Sequence, residues 1–399
     1  MDTIAGPPTP LTTPDGRPAA AAWPLTPALR HLNHGSFGAV PSAALAVQAA
    51  LRTEMEQAPV RWFAGLPPRI AAARAEVAAF LGAGPGTLAL VPNASAGVSA
   101  AYAGLPFPAG GEIVLTDHGY GAVVLGAERL ARRHGGTVRV AHVPLAAGPE
   151  EACAAVVGAL TGRTALVVVD HVTSPTARFL PVAAISAAAR ERGIPVLVDG
   201  AHVPAMVADP FDGLDCDVWV GNLHKFGCAP RGSGVLVARG PHAAGLYPLI
   251  DSWGAPLPFP DRFDVQGTLD VTGQLAAPAA LGGIDRLWGW ATVRDYATRL
   301  AGWGADLVAA AFGELTGEDH TVVTGMPAGP LRLVRLPGEL GAVPDDLRLR
   351  VLDELGAECA FSRFAGVGYL RLSAHAYNTA ADYEDFAERC VPALAAWSR

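Results

Sequence analysis

Between residues 88 and 240, short and almost wholly apolar runs alternate with amphipathic ones, and that alternation leaves few folds open. The apolar runs are LALVP (88–92), EIVLT (112–116), TVRVAHVPL (137–145), TALVVVDHV (164–172), PVLVDGAH (195–202), CDVWVGNLHK (216–225) and GSGVLVARG (232–240). Between them SAGVSAAYAGL, GAVVLGAERLARRHGG, EEACAAVVGALTG and VAAISAAARERG carry helical periodicity. A strand without a polar face is covered on both sides, which is the habit of parallel sheets packed between helices. The pattern predicts an α/β fold with a mostly parallel seven-stranded sheet. In such sheets ligands sit at the carboxyl ends of the strands.

The flanks read differently. Residues 1–30 are rich in Pro, Ala and Thr without periodicity and read as an N-terminal arm. From about 40 to 81 the pattern is helical, in SAALAVQAALRTEMEQ and then PPRIAAARAEVAAFLGA, with stops at Gly82 and Gly84. After about 275, long helical stretches give way to LRLVRLP, DLRLRVLDELGAE and GYLRLSAH, an α+β pattern. The expected organisation is an arm (1–30), a large domain (31–275) and a smaller α+β C-terminal domain (276–399). With 51% hydrophobic and 17% charged residues the chain has material for a sizeable core. A net charge of −8 argues against a nucleic-acid partner, which selects a basic face. No apolar run reaches the roughly 18 residues a membrane span needs, so no membrane association is expected. Cysteines 153, 216, 228, 359 and 390 are scattered, form no CxxC pair and suit a reducing cytoplasm.

One residue stands apart. Of 29 Lys and Arg residues only Lys225 is lysine. A composition biased toward arginine explains the other replacements, but arginine cannot replace lysine where a deprotonated amine is required. Lys225 lies at a strand end beside His224, where desolvation lowers an amine's pKa toward that needed for Schiff-base chemistry. Asp199 ends another apolar strand and needs a partner, a salt bridge or a cationic ring nitrogen. Asn93, Ala94 and Ser95 lie between a strand and a helix N-terminus, which attracts an anion such as phosphate, although Asn and Ser also simply cap helices. DHVTSPTA aligns His171, Thr173, Ser174 and Thr176 after a third strand. A lysine for a Schiff base, a carboxylate for a pyridinium nitrogen and a helix N-terminus for phosphate are together what pyridoxal 5′-phosphate requires. His118, His171, His202 and His224 follow no metal-ligand spacing, and no metal is expected.

From about residue 31 to 390 the chain resembles the class V aminotransferase-fold, pyridoxal-phosphate enzymes, and among them the isopenicillin N epimerase-like group. The resemblance is carried by LNHGSFGAVP (32–41), PVRWF (59–63), VPNASAGV (91–98), TDHGYGAV (116–123), DHVTSPTA (170–177), VDGAH (198–202), GNLHKFGCAPRGSGVL (221–236), QGTLD (266–270) and RLSAHAYNTAADYE (371–384). It implies fold type I, the aspartate aminotransferase-like architecture. It further implies that Lys225 binds the cofactor covalently and shuttles the Cα proton, that Asp199 pairs with the ring nitrogen and that His202 supports that region. Ala94, Ser95, Asn222 and His224 would hold the phosphate, Tyr120 rather than His118 would stack on the ring, and Thr173 and Ser174 would lie near its phenolic oxygen. Gly267 and Thr268 would reach the phosphate of a neighbouring subunit, implying a homodimer with shared active sites. Arg371 would grip the α-carboxylate of an amino-acid-type substrate, with Asn33, His34 and Ser36 at the substrate mouth. By themselves Arg371 also fits a surface strand position, Tyr120 a packed core site and Asn33 a turn.

The resemblance fixes the cofactor more tightly than the reaction. Chemistry at Cα is expected, epimerase-like in family terms. The alternatives are C–S β-lysis of a cysteine S-conjugate, decarboxylating or oxidative deamination, and transamination, in secondary metabolism. Cysteine desulfurases of the same fold need a nucleophilic cysteine on a mobile loop. Here Cys359 sits in AECAFSRFAGVGYLR, whose apolar context reads as a strand with a buried thiol. A non-enzymatic effector-binding module would need an attached basic DNA-binding domain, and the short, Pro-rich arm does not supply one.

Overall fold

The computed structural model describes residues 6–327 and 329–398, so residues 1–5 of the expected arm lie outside the described residues. The chain forms two compact units. One comprises Val40–Thr173 and Phe179–Gly283; the other comprises Met1–Ala39, Ser174–Arg178 and Ile284–Arg399.

The larger unit holds the seven expected strands: β1 (Leu88–Val91), β2 (Glu112–Thr116), β3 (Thr137–Ala141), β4 (Thr164–Asp170), β5 (Val196–Asp199), β6 (Val218–Asn222) and β7 (Gly234–Ala238). Their order is β1-β7-β6-β5-β4-β2-β3. Strands β6, β5, β4, β2 and β3 run parallel, whereas β7 is antiparallel to both β6 and β1. The reason is in the connections. Helices α3 (Ala94–Gly104), α4 (Gly121–Arg133), α5 (Pro149–Ala159) and α6 (Val182–Arg190) provide crossovers, as parallel neighbours require. Between β6 and β7 there is no crossover helix, only a loop over 223–233, and that loop carries Lys225. It is pinned by Leu223 N–H to Ser233 O (3.1 Å) and Ala229 N–H to Leu223 O (3.1 Å). The core on one side of the sheet packs Val98, Ala101 and Tyr102 of α3 with Leu197, Val220 and Leu236.

Two helices precede the sheet, α1 (Ser42–Gln57) and α2 (Pro59–Leu81). The second starts earlier than the sequence pattern suggests, running through Pro67 and Pro68. Proline is suited to a helix start, and Pro59 takes that position here, while the later pair forgoes two backbone donors. Strand β3 also stops short of the expected 145. Val143 N–H turns to Asp117 (3.1 Å) and Val143 O is bound by His118 Nε2 (2.8 Å), so this segment ties down the loop after β2 instead of extending the ladder.

In the smaller unit β8 (Leu331–Arg335), β9 (Ala360–Phe364) and β10 (Val367–Ser373) form an antiparallel sheet in the order β9-β10-β8. The long helix α7 (Trp290–Thr316) contributes Leu300, Val308 and Phe312 to a core shared with Leu370, Leu372 and Tyr383. Residues Arg30–His31 pair in parallel with Ala357–Glu358, which ties this segment to the smaller unit.

Candidate active site

In the larger unit the polar groups gather at the carboxyl ends of the central strands. Lys225 is buried, and its Nζ lies 3.1 Å from Nε2 of the buried His202. Asp199 ends β5, and its Oδ1 accepts the Ala201 N–H (2.9 Å). Burial holds its carboxyl above the usual carboxylate range, against the Ala201 N–H and the Lys225 charge, which favour the ionised form. His224 is drawn down to about 4, first by burial and then by the charge of Lys225, while its Nδ1 lies 3.3 Å from Ser233 O.

The N-terminus of α3 is brought to this place by small residues. A Cβ on Gly234 would lie 2.8 Å from Asn93 Cα, and one on Gly97 would lie 2.8 Å from Val220 Cγ1. Glycine at both positions lets the Asn93 turn rest against β6 and β7. Asn93 caps the helix by accepting the Ala96 N–H at Oδ1 (2.9 Å). Asn222, the last residue of β6, accepts the Ala94 N–H at its Oδ1 (2.8 Å). Ser95 is exposed in the first turn, where the helix dipole favours negative charge. Tyr120 stands just before α4 and is 43% exposed, enough to offer a surface to a ligand. His118 is fully buried and spent on Val143 O. Thr173 is buried beyond the end of β4, and Gly267 and Thr268 are exposed.

A residue the sequence reading passed over belongs to this group. Asp170 ends β4 directly opposite Asp199 in the parallel register, and both are buried. Burial and then the Asp199 charge push its carboxyl well above the usual range, against the Tyr120 N–H and the Lys225 charge. The available signal was that two adjacent apolar runs, TALVVVD and PVLVD, each end in aspartate.

The smaller unit gathers a second set. Arg371, at the middle of β10, donates from Nη1 to Ser174 O (2.6 Å) and Ser174 Oγ (3.0 Å), and from Nη2 to Ser36 Oγ (2.9 Å). Ser36 Oγ in turn donates to Asn33 Oδ1 (2.7 Å), and Asn33 Nδ2 donates to Cys359 O (3.3 Å). Ser174, expected near a cofactor oxygen, is here a partner of the arginine. His34 stacks on His375 at 4.2 Å and meets Tyr377 Oη through Nδ1 (3.0 Å). Cys359 is 1% exposed, and burial pushes its thiol strongly up, the opposite of an activated nucleophile.

The donor set fits pyridoxal phosphate on chemical grounds: a buried amine, a buried carboxylate and a helix N-terminus cleared by glycines. By contrast, a cleft of about 430 Å³ lined by Gly110, Gly111, Arg163, Thr164, Pro195 and His242 lies at the amino ends of β2, β4 and β5, away from these groups.

Comparison with known proteins bears on the same point. The family model "Aminotransferase class-V" matches residues 66–251. Isopenicillin N epimerase of Streptomyces clavuligerus is 30% identical over 95% of this chain and 98% of its own length. The chain belongs to the isopenicillin N epimerase-like group of class V aminotransferase-fold enzymes. An L-cysteine desulfhydrase of Arabidopsis thaliana, 25% identical over 88% of this chain and 85% of its own length, is a second relative. Among solved structures, a mutant of C-DES with glycine covalently linked to its PLP cofactor superposes with a TM-score of 0.80, at 22% identity, over 95% of this chain and 99% of that one. The fold is therefore fold type I, as the sequence resemblance implied, and the protein is an enzyme whose cofactor is pyridoxal phosphate. Among the described residues no helix is long and apolar enough to cross a membrane.

Proposed function

We propose that the enzyme exchanges the proton at Cα of an amino acid or amino-acid conjugate, with epimerisation as its reaction and Lys225 as both cofactor anchor and base. The observation that carries this reading is the buried Lys225 Nζ, 3.1 Å from His202 Nε2, in the same strand-end cluster as the Asp199 carboxylate. When bound, pyridoxal phosphate supplies an electron sink that weakens the bonds at Cα. Lys225 takes the Cα proton on its own face as a free amine, and His202 Nε2 orients that amine. The Asp199 carboxylate favours a protonated ring nitrogen. Ser95, with the Ala94 backbone, Asn222 and His224, would hold the phosphate, and Thr173 would border the ring, while Ser174 serves Arg371.

Arg371 holds the substrate α-carboxylate through its guanidinium fork, a bidentate task that Ser36 and Ser174 prepare by fixing the fork's plane. Asn33 steadies Ser36, and His34 borders the same mouth. Epimerisation needs a second acid on the face opposite Lys225, and the exposed ring of Tyr120 is our candidate. A second reading, β-elimination of a thiol from a cysteine S-conjugate, is supported by the L-cysteine desulfhydrase relative.

We further propose a homodimer in which Gly267 and Thr268 complete the partner's phosphate site. Supporting it, Leu249, Ile250 and Trp253 of the preceding stretch are exposed, Trp253 to 93%. A cytoplasmic location is supported by five cysteines that are all free. A place in secondary metabolism rests on the epimerase likeness alone.

The deciding experiment incubates the holoenzyme with L-amino acids and cysteine S-conjugates in D2O. Deuterium at Cα with inverted configuration supports epimerisation, whereas pyruvate with a thiol supports the lyase. A keto acid with aminated cofactor means transamination. Absence of both exchange and product with every amino acid tested, or an Lys225→Ala protein that keeps the visible absorbance of the lysine-linked cofactor, overturns the proposal.

A further inference from the structure

We propose that Asp170 is a positioning residue for the cofactor ring: its carboxyl group bridges Asp199 and the backbone of Tyr120, and so sets how firmly Asp199 holds a charged ring nitrogen. The inference rests on the reading that Asp199 faces that nitrogen, and it adds a group to which the roles proposed above assign nothing.

Asp170 and Asp199 are paired residues at the ends of the parallel strands β4 and β5, so their side chains leave the sheet on the same face as direct neighbours. They are 5% and 3% exposed, so water does little to separate their charges. The Asp170 carboxyl lies against the turn before α4. Its Oδ2 would be 4.0 Å from a Cβ built on Gly119, and it accepts the Tyr120 N–H. The charged and titratable groups whose fields reach this pair are Lys225 and the phenol of Tyr102, which donates to Val123 O (3.0 Å) and so gives Asp170 no proton.

Two buried carboxylates side by side cannot both be ionised at low cost, so one proton stays between them. If Asp170 holds it, one oxygen accepts from Tyr120 while the O–H faces Asp199. Asp199 is then left as the ionised member, braced by Ala201 N–H and by its neighbour. The ring-nitrogen partner and the stacking residue Tyr120 thereby share one anchor. The elevated proton affinity of both carboxyls agrees with this arrangement.

The test uses Asp170→Asn, which keeps shape, an acceptor for Tyr120 and a donor for Asp199 but cannot ionise, and Asp170→Ala, which keeps none of these. The first readout is unfolding of the apoprotein against pH. An acid whose folded pKa is raised contributes stability that is full below its unfolded pKa and is lost as pH rises through the folded value. Wild type should therefore lose stability relative to Asp170→Asn as pH rises from about 4 toward 8.

The second readout is titration of apoprotein with pyridoxal phosphate. Asp170→Asn should bind within about threefold of wild type and Asp170→Ala about tenfold or more weaker, the factor for one unit of proton affinity. Should Asp170→Asn fail to fold, Asp170→Ser replaces it in the stability comparison. Parallel pH profiles for wild type and variant, or equal cofactor affinity in Asp170→Ala, would overturn the assignment. If instead wild type takes up no cofactor at all, the reading of Lys225 and Asp199 fails, while the pH profiles still report on the carboxylate pair.

Discussion

Replacing Gly97 by alanine should destabilise this protein, against the usual rule for glycine in a helix. In an unconstrained helix interior Gly→Ala gains about 1 kcal/mol, because alanine has less backbone freedom to lose. Gly97 is the fourth residue of α3, and its missing side chain is where the helix meets the sheet. A Cβ there would lie 2.8 Å from Val220 Cγ1, 3.4 Å from Val220 Cβ and 3.6 Å from Leu236 Cβ. The first distance is below any that real Cβ atoms adopt, so either Val220 leaves its rotamer or α3 lifts. Overpacking of this kind costs about 1–3 kcal/mol, so the net expectation is a loss of about 1 kcal/mol. Val220→Ala removes the offending methyl but empties a fully buried site, costing about 2 kcal/mol by itself. Together the two changes should cost about 1–2 kcal/mol less than their sum, since the new methyl fills the space the valine left. Urea unfolding of the four apoproteins measures all terms. The same cycle read by cofactor titration should show Gly97→Ala weakened if, as proposed, Ala94 and Ser95 at the start of α3 hold the phosphate. A Gly97→Ala protein that gains stability, with an additive double variant, would refute the reasoning that this contact seats the helix.

Three further outcomes follow from other contacts. Ser36→Ala removes one of the anchors of Arg371, a hydrogen bond of 2.9 Å, and should raise KM for the amino acid roughly fivefold at nearly unchanged kcat, as loss of about 1 kcal/mol of binding implies; an unchanged KM would remove Arg371 from substrate binding. Asp264 is pushed up to about 6, chiefly by burial and despite Arg74 at 2.9 Å, so its contribution is full below pH 4 and is lost as pH rises through about 6. Wild-type stability should therefore fall against Asp264→Asn by about 3 kcal/mol between pH 4 and 8 in paired unfolding curves, and a constant gap would contradict it. Cys359→Ala should keep turnover within about threefold while lowering stability by about 1 kcal/mol, because the buried thiol is packing material; abolished turnover would restore the cysteine-nucleophile reading.

The large sheet was legible because its central strands are apolar on both faces and are separated by helical segments; the edge strand β3 is largely exposed, and the reversed direction of β7 follows from a connection without a crossover helix. Where the reading fell short, the missing information was tertiary. Nothing in TVRVAHVPL says that Val143 serves the loop at His118 instead of the ladder. Nothing in DHVTSPTA says that the chain passes from one compact unit to the other between Thr173 and Ser174. Ser174 lies with Arg371, whereas Thr173, next to it in sequence, belongs to the larger unit. Asp170 is the clearest case. A lone aspartate at a strand end reads as a cap, and only the register that sets it opposite Asp199 makes it half of a buried pair. Lys225 needed no such help, because it is the one lysine of the chain. Identity thus singled out the amine, whereas register decides which groups stand beside one another at the strand ends, and register is a property of two strands that a single strand's residues do not encode.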